Sequence, residues 1–260
     1  VFIKRIILAK GLKELKEKVG DVLMPTPDAV LHAAHLLQSG YGDIEGFGDL
    51  ILIDIGGATT DIHSVGEGLP SSSSIKIKNA TFELRYEGLR EPFDKRTVEG
   101  DLGMRYSAKS LLEAVGKDEL NSYYPADYEE ECSIRTTHVK MRPSNEHDYN
   151  IEKSLAKACV KHGIARHAGK LRKEFTGVRN IYYMSGKDLS TFNTIIGTGG
   201  VLIHSTDTKK ILELFEAPLY PTNPIYYKDK SYILSAMGLL STVDPTSALI
   251  IMKKYLKEEI

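Results

Sequence analysis

The sequence predicts an α/β fold in which a mixed sheet is flanked by helices, and three observations predict it. Residues 50–53 form a continuous apolar run, half of it β-branched, which is typical of a strand buried on both faces. A helical pattern with end signals precedes this run at residues 28–37. A second apolar strand, at residues 194–196, leads through glycines toward another helical pattern. Strands that alternate with helices in this way indicate an α/β protein.

The first part of the chain is predicted to contain a well-delimited helix and a hairpin. Thr26 can cap the helix at residues 28–37, Pro27 suits its first turn, and Gly40 can end it. Residues 62–65 alternate, so we expect them to return from the first strand as a hairpin. Three more elements are predicted here: a helical pattern at residues 3–19, a polar tip at 71–74 and a strand at 75–78.

The rest of the chain is predicted to insert a lid into a single lobe. Residues 121–150 are polar with few periodic apolar positions, so we expect a small, less regular subdomain there. The prediction is one lobe from residues 1–105 and 179–260, with residues 106–178 as the inserted lid subdomain. The other predicted elements are helices at residues 106–115, 152–170, 209–215 and 245–258, strands at 180–184 and 194–196, and an apolar segment at 232–240.

Composition and charge exclude several classes of protein. The 260 residues include 34 basic and 35 acidic side chains, so no broad attraction to nucleic acid or anionic membrane is expected. No apolar stretch approaches the roughly 20 residues that span a bilayer, and we expect no membrane association. Two cysteines without a CxxC spacing suit a reducing cytoplasm. Because Val1 begins within an apolar pattern, we expect a segment of a longer protein.

The run Asp54-Ile-Gly-Gly-Ala-Thr-Thr-Asp61 directly follows the buried strand. Glycines let backbone N–H groups approach phosphate oxygens, and the hydroxyls of Thr59 and Thr60 add donors. Asp54 and Asp61 can then hold hydrated magnesium, whose charge lets carboxylates lie close to phosphates. A tight hairpin with capping threonines is an equally favoured interpretation of the run taken alone.

A second glycine element, Ile195-Ile-Gly-Thr-Gly-Gly200, also follows an apolar strand. Its glycines, Gly197, Gly199 and Gly200, would let a flat base or a ribose lie on the backbone. The element has neither the Rossmann nor the P-loop spacing. Taken alone, it is better explained as a plain turn between a strand and a helix.

A third segment, at residues 96–105, crowds charges around two glycines. Glu99 and Asp101 could reach a cleft or a nucleotide ribose. The alternative is a salt-bridged helix start, with Thr97 as its cap and Arg105 as an ion-pair partner. Two histidines and four tyrosines are expected to be structural rather than ligands: His162, His167, Tyr182, Tyr183, Tyr226 and Tyr227.

The order of these motifs resembles the actin-like ATPase superfamily, which includes the heat-shock chaperones. The match begins at Val22-Leu-Met-Pro-Thr-Pro-Asp-Ala-Val30 and continues through the helix and strand into Asp54-x-Gly-Gly. The Gly-Thr-Gly-Gly element, about 140 residues further on, falls where that superfamily has its adenosine motif. The resemblance implies a ribonuclease-H-like fold.

Four segments are similar, more narrowly, to the MutL/GlmL family of glutamate mutase accessory proteins. They are Gly56-Gly-Ala-Thr-Thr-Asp-Ile-His-Ser64, Lys95-Arg-Thr-Val-Glu-Gly-Asp-Leu-Gly-Met-Arg105, His162-Gly-Ile-Ala-Arg-His-Ala-Gly169 and Leu234-Ser-Ala-Met-Gly-Leu-Leu240. The resemblance covers nearly the whole chain. It implies an ATP-dependent role beside an adenosylcobalamin-dependent mutase, which the protein would protect or reactivate by exchanging damaged cofactor.

The resemblance also implies roles for individual residues. Asp54 and Asp61 would bind Mg²⁺ through water, and Gly199 and Gly200 would contact adenosine. Contacts with the terminal phosphates would come from Gly56, Gly57, Ala58 and Thr59. The superfamily's first phosphate motif is missing, so we expect these residues alone to bind nucleotide weakly and to hydrolyse it negligibly. A small-molecule kinase and a non-hydrolysing scaffold of the same fold remain alternatives.

Overall fold

The computed structural model describes residues 24–69 and 82–259 and has a mixed α/β architecture. The helices are α1 (Thr26–Ser39), α2 (Ala108–Val115), α3 (Lys117–Tyr123), α4 (Tyr128–Thr137), α5 (Glu146–His167), α6 (Gly200–His204), α7 (Thr208–Leu212), α8 (Leu234–Leu240) and α9 (Pro245–Tyr255). The strands are β1 (Gly40–Tyr41), β2 (Ile44–Glu45), β3 (Leu50–Ile55), β4 (Thr60–Val65), β5 (Phe82–Tyr86), β6 (Asp94–Glu99), β7 (Lys170–Phe175), β8 (Asn180–Ser185), β9 (Thr194–Thr198), β10 (Ile225–Asp229) and β11 (Leu256–Glu259). The elements predicted at residues 3–19, 71–74 and 75–78 lie outside the described residues.

The main sheet has six strands in the order β11-β10-β9-β3-β4-β6. Strands β10, β9 and β3 run parallel, whereas β3, β4 and β6 form an antiparallel meander and β11 is antiparallel to β10. A three-stranded sheet, β5-β8-β7, and the small β1-β2 hairpin complete the strand pairing of the described residues. The predicted mixed sheet flanked by helices is confirmed.

Strand β3 lies in the middle of the main sheet and is buried on both faces, as predicted. Leu50 and Leu52 pack into a core shared with α1, α8 and α9. Ile51 and Ile53 pack on the other face, into a core shared with α5. Each of these side chains contributes about 1.5–3 kcal/mol by leaving water, so the strand and the turn that follows it are held firmly.

Helix α1 differs from its prediction at the N-terminus. The capping position is Pro25, which makes no side-chain hydrogen bond, and Thr26 is already helical. Pro27 lies in the first turn and Gly40 ends the helix with φ 72°, both as predicted. Proline already satisfies the geometry of the first turn, so no hydroxyl cap is required.

The region predicted as a less regular subdomain is largely helical. Helix α4 was missed there, and α5 begins at Glu146 rather than at residue 152, with the Asn145 side chain accepting a hydrogen bond from the Asp148 backbone N–H. Helices α2 to α5 share one core with β3, and α5 packs directly against the main sheet. The division at residues 106–178 stays a prediction.

Several strands also differ from the sequence prediction. Residues 94–99 form strand β6, not the start of a helix, and residues 170–175 form β7 although the preceding helix was expected to reach residue 170. The C-terminal helix ends at Tyr255, after which Leu256–Glu259 pairs with β10. These strands are polar or short, so local sequence carries little signal for them. Within residues 24–69 and 82–259, no helix has the length and apolar character needed to cross a membrane.

Candidate functional site

The turn after β3 is a two-residue hairpin. Ile55 pairs with Thr60 at the end of the ladder, and the Gly56 N–H donates to the Thr59 carbonyl at 2.9 Å. Gly57 and Ala58 form the tip, and their N–H groups donate to no acceptor within the described residues. The tight-hairpin interpretation is therefore correct for the backbone. It leaves two unpaired donors at the tip, which is what an anion-binding turn requires.

A neighbouring segment packs against this turn and takes up its carbonyl groups. The Met104 N–H donates to the Gly56 carbonyl at 3.1 Å, and the Arg105 N–H donates to the Gly57 carbonyl at 2.8 Å. Gly103 makes this approach possible, because a Cβ at that position would lie 2.4 Å from the carbonyl carbon of Ala58. The carbonyls of Gly56 and Gly57 are thus satisfied by protein, whereas the N–H groups at the tip have no acceptor within the described residues.

Three carboxylates surround the end of β3. In the backbone ladder of the sheet, Asp54 lies opposite Asp61 on β4 and opposite Thr198 on β9. Asp229 is the last residue of β10, the strand beyond β9. Burial raises the pKa of Asp54 to about 6, the Asp61 and Asp229 carboxylates add to the rise, and Arg96 opposes it. A cation at this point would relieve the repulsion. Among the described residues, no group of three or more His, Cys, Asp or Glu side chains is arranged to hold a metal directly.

Asp61 is already paired. Arg96 donates from Nε and Nη2 to one carboxylate oxygen of Asp61, at 3.0 and 2.7 Å, and Thr59 Oγ1 donates to the other at 3.0 Å. Asp229 is also engaged, accepting from Thr198 Oγ1 at 3.1 Å and from the backbone N–H groups of Ile233 and Leu234. Asp54 has no ion pair or hydrogen bond to its carboxylate within residues 24–69 and 82–259.

The second glycine element lies directly beside the first, because β9 pairs in parallel with β3. Gly199 has φ 116°, and a Cβ there would lie 2.3 Å from the Ile55 carbonyl oxygen, so only glycine fits. A Cβ on Gly197 would meet Leu202 and Leu212, which makes this glycine a packing residue. Gly200 faces open space.

Both glycine elements border one cavity of about 900 Å³. Ile55, Gly56 and Gly57 line it from the first element and Gly200 from the second. Four basic and two acidic side chains also line it, an excess of two positive charges in a chain whose net charge is -1: Arg105, Lys140, Arg142, Lys153, Glu152 and Asp207. The size is within the range of small-molecule sites, and the charge favours an anion.

Comparison with known proteins identifies the family. The family model described as MutL protein matches residues 1–256. The chain belongs to the MutL protein family. Protein MutL from Clostridium tetanomorphum is 45% identical over 265 residues, which cover 98% of this chain and 55% of that protein. This MutL-family chain thus spans about half the length of the curated relative, and the family prediction is confirmed.

Of the residues predicted to bind nucleotide, Gly56, Gly57 and Gly200 line the cavity of this MutL-family chain. The other six and the two aspartates predicted to hold magnesium do not: Ala58, Thr59, Thr60, Glu99, Gly197, Gly199, Asp54 and Asp61. Thr60 is buried and its Oγ1 donates to the Leu102 carbonyl at 2.6 Å, so its hydroxyl is committed to the protein. Glu99 accepts from Arg166 at 2.7 Å on strand β6. The predicted helix start around Thr97 is wrong, because Thr97 lies within a strand, and its Oγ1 hydrogen-bonds His167 Nδ1 at 2.9 Å.

The other predicted residues differ in how exposed they are and in what they contact. Ala58 is exposed at the hairpin tip, and the hydroxyl of Thr59 is directed at Asp61. His167 is buried, with Nε2 2.7 Å from Ser64 Oγ, and Nε2 of His162 lies 3.1 Å from Glu119 Oε2, so both histidines contact protein groups. The four tyrosines expected in the core and at its rim are buried or half-buried.

Sequence reasoning missed Asp229 and most of the charged side chains of the cavity. Asp229 follows Tyr-Tyr-Lys, a half-polar strand without a recognisable pattern. The cavity wall at 139–143 joins α4 to α5, and only the tertiary arrangement brings it opposite the glycine turns. The two basic residues of this loop, Lys140 and Arg142, are a sequence signal that could have pointed to it.

Proposed function

We propose that this chain is an ATP-binding lobe of an actin-like accessory protein that reactivates an adenosylcobalamin-dependent mutase, with glutamate mutase as the first candidate. The observation that carries the proposal is the meeting of two glycine elements, on the paired strands β3 and β9, at one cavity with excess positive charge. A nucleotide needs both features, since its phosphates seek unpaired N–H groups and cations while its sugar and base need a close backbone approach.

The phosphates would bind at the hairpin tip. Gly57 and Ala58 offer the N–H groups that lack protein acceptors, and Gly56 and Thr59 complete the turn. The adenosine would lie toward Gly199 and Gly200, where Gly200 leaves open space. The phosphates would thus lie at the first glycine element of the chain and the adenosine at the second, and neither Glu99 nor Thr60 would contact the nucleotide.

Magnesium would be held through water by Asp54, with Asp61 beside it. The raised pKa of Asp54, caused by burial and by two neighbouring carboxylates, fits a position at which a cation is favoured. The ion would neutralise charge that develops on the phosphates. Asp54 would orient the hydrated ion, and Arg96 would keep Asp61 from moving toward it.

The mutase partner is proposed from the family alone. Like the glutamate mutase accessory proteins that it resembles, the full-length protein would close and open a cleft as its bound nucleotide changes. This motion would drive the exchange of damaged adenosylcobalamin. Turnover of ATP belongs to the full-length protein in this proposal. Weak nucleotide binding by residues 1–260 alone and a cytoplasmic location stay predictions.

A kinase of the same fold is less well supported. A kinase needs a carboxylate free to accept a proton from its substrate. The two carboxylates that line the cavity within the described residues are both ion-paired: Glu152 with Arg105 and Arg135, and Asp207 with Lys153 and Lys210. The carboxylate of Asp54, which is unpaired among the described residues, is assigned to magnesium in the proposal above, so it does not serve as that base. The experiment described next distinguishes a non-hydrolysing scaffold from the reactivating ATPase.

The test uses full-length protein, an inactivated mutase and fresh adenosylcobalamin. We expect mutase activity to return only when ATP and Mg²⁺ are both present, with nucleotide turnover measured in the same samples. Recovery without turnover would favour a scaffold. Absence of both turnover and recovery would rule out the reactivating function.

A further inference from the structure

Arg105 lies directly against the glycine turn. Its backbone N–H donates to the Gly57 carbonyl at 2.8 Å. Its Cβ and Cγ lie 3.3 and 3.4 Å from the position that a Cβ on Gly57 would occupy. The side chain is only 16% exposed, and it lines the cavity. The backbone therefore fixes this arginine against the proposed phosphate site.

Three protein acceptors hold the guanidinium group of Arg105. Nη1 donates to the Met104 carbonyl at 2.8 Å, and Nη2 donates to the Met141 carbonyl at 3.2 Å and to Glu152 Oε2 at 3.0 Å. A guanidinium has five N–H donors, so donors remain for a ligand. Nε has no acceptor within the described residues. The protein thus orients the guanidinium of Arg105 but leaves some of its N–H donors without an acceptor among the described residues.

Glu152 does not neutralise Arg105 by itself, because it is shared. Its other oxygen accepts from Nε of Arg135 at 2.8 Å, and Arg135 is fully buried. One carboxylate therefore serves two arginines next to the cavity, although Glu131 also contacts Arg135. Lys140 and Arg142, on the same wall, have no ion-pair partner within residues 24–69 and 82–259. The positive charge near the turn is left incompletely balanced.

We propose that Arg105 binds the terminal phosphate of the nucleotide at the Gly56–Thr59 turn, with Glu152 and the Met141 carbonyl as the groups that position it. The inference deepens the proposed nucleotide binding and rests on it. A guanidinium with free N–H donors suits a phosphate, because the phosphate oxygens accept charge-assisted hydrogen bonds. Because Arg105 also donates to the Met141 carbonyl, phosphate binding would change the conformation or mobility of the loop at residues 139–143.

The test is an NMR titration of full-length protein with ATP and, separately, with adenosine. Arg105→Gln should weaken ATP binding about tenfold or more, the effect of losing one charged hydrogen-bonding group. The affinity for adenosine should change by less than about twofold, since adenosine has no phosphate. Arg105→Lys keeps the charge and should recover part of the ATP affinity, and it serves if the glutamine variant does not fold.

Arg166→Gln is the matched control, because Arg166 pairs with Glu99 and Asp101 and does not line the cavity. It should bind ATP as the unaltered protein does. Hydrogen exchange at residues 139–143 should change with ATP in the unaltered protein and not in Arg105→Gln. Equal ATP affinity in Arg105→Gln and the unaltered protein would overturn this inference alone. An unaltered protein that binds no ATP would overturn the proposed function as well.

Discussion

Arg96 donates two hydrogen bonds to a single carboxylate oxygen of Asp61, at 3.0 Å from Nε and 2.7 Å from Nη2. This ion pair distinguishes the two aspartates that border the glycine turn. Asp61 has its countercharge within the protein, whereas Asp54 is surrounded by carboxylates and has a pKa raised to about 6 by burial and by those neighbours. Of the two, Asp54 is the better candidate to recruit an external cation.

The first prediction follows for Asp54→Ala. The variant should fold, because a carboxylate at the end of a strand supplies little apolar packing, but it should lose the Mg²⁺-dependent part of ATP binding. Calorimetric titration with ATP in the presence of Mg²⁺ or of a chelator measures that part. Asp101→Ala is the control, since Asp101 pairs with Arg166 outside the cavity. Equal Mg²⁺ dependence in the Asp54 variant and the unaltered protein would remove Asp54 from the metal site.

The second prediction compares two adjacent glycines. Gly199→Ala places a Cβ at φ 116°, 2.3 Å from the Ile55 carbonyl oxygen, so β9 must move away from β3. We expect a loss of about 2 kcal/mol or more in the free energy of unfolding, by chemical denaturation. Gly200→Ala faces open space and should cost less than about 0.5 kcal/mol. Equal losses would mean that Gly199 is not held against Ile55.

Part of this site could be predicted from the sequence because it depends on neighbouring residues. The apolar run at β3 and the glycines after it specify a buried strand and a turn within about ten residues. The parallel pairing of β3 with β9 was not predicted, because the sequence shows only the order of the two glycine elements and not which strands are neighbours. The ion pairs of Asp61 and Glu99 could not be predicted, because Arg96 and Arg166 reach them from another strand and from a distant helix.

The missed elements share a physical cause. Helix α4 buries Tyr128, Cys132 and Arg135, a face that does not look apolar in sequence, because an arginine occupies a position fully inside the protein. Strand β6 lies at the edge of the main sheet and has mostly polar side chains, so alternation is absent. In both cases tertiary contacts outweigh local propensity.

The third prediction concerns the buried arginine of α4. Arg135 donates to Glu131 and Glu152, and one of its nitrogens, Nη2, has no acceptor within the described residues. Arg135→Ala should destabilise the protein by about 3–5 kcal/mol, because it leaves Glu152 buried beside Arg105 without its second partner.

Thermal and urea unfolding measure this loss. Arg166→Ala removes an ion-paired arginine that is 37% exposed, and it should cost no more than about 1 kcal/mol. The double variant Arg135→Met, Glu152→Gln should recover part of the stability, since neither charge is then left buried alone. If Arg135→Ala costs no more than Arg166→Ala, the network around Glu152 is not a stabilising unit.

The fourth prediction is a pH dependence that arises from His167. Burial lowers the pKa of His167 well below 6.5, and nearby Lys95, Lys187 and His63 lower it further. The folded protein therefore keeps this ring neutral, whereas the unfolded chain protonates it below about pH 6.5. The unfolded state then binds more protons, so the free energy of unfolding should fall as the pH decreases from 6.5, by up to about 1.4 kcal/mol for each pH unit.

His167→Gln removes this proton uptake while keeping a polar group near Ser64 and Thr97. It should lower stability at pH 7.5, because the two hydrogen bonds are replaced imperfectly. Between pH 6.5 and 5, however, the variant should lose stability less steeply than the unaltered protein. Some slope should persist, since burial also lowers the pKa of His63, to about 4. The exposed His138 provides the control: His138→Gln should leave the slope unchanged, and an equal slope in His167→Gln would show that His167 is protonated in the folded protein.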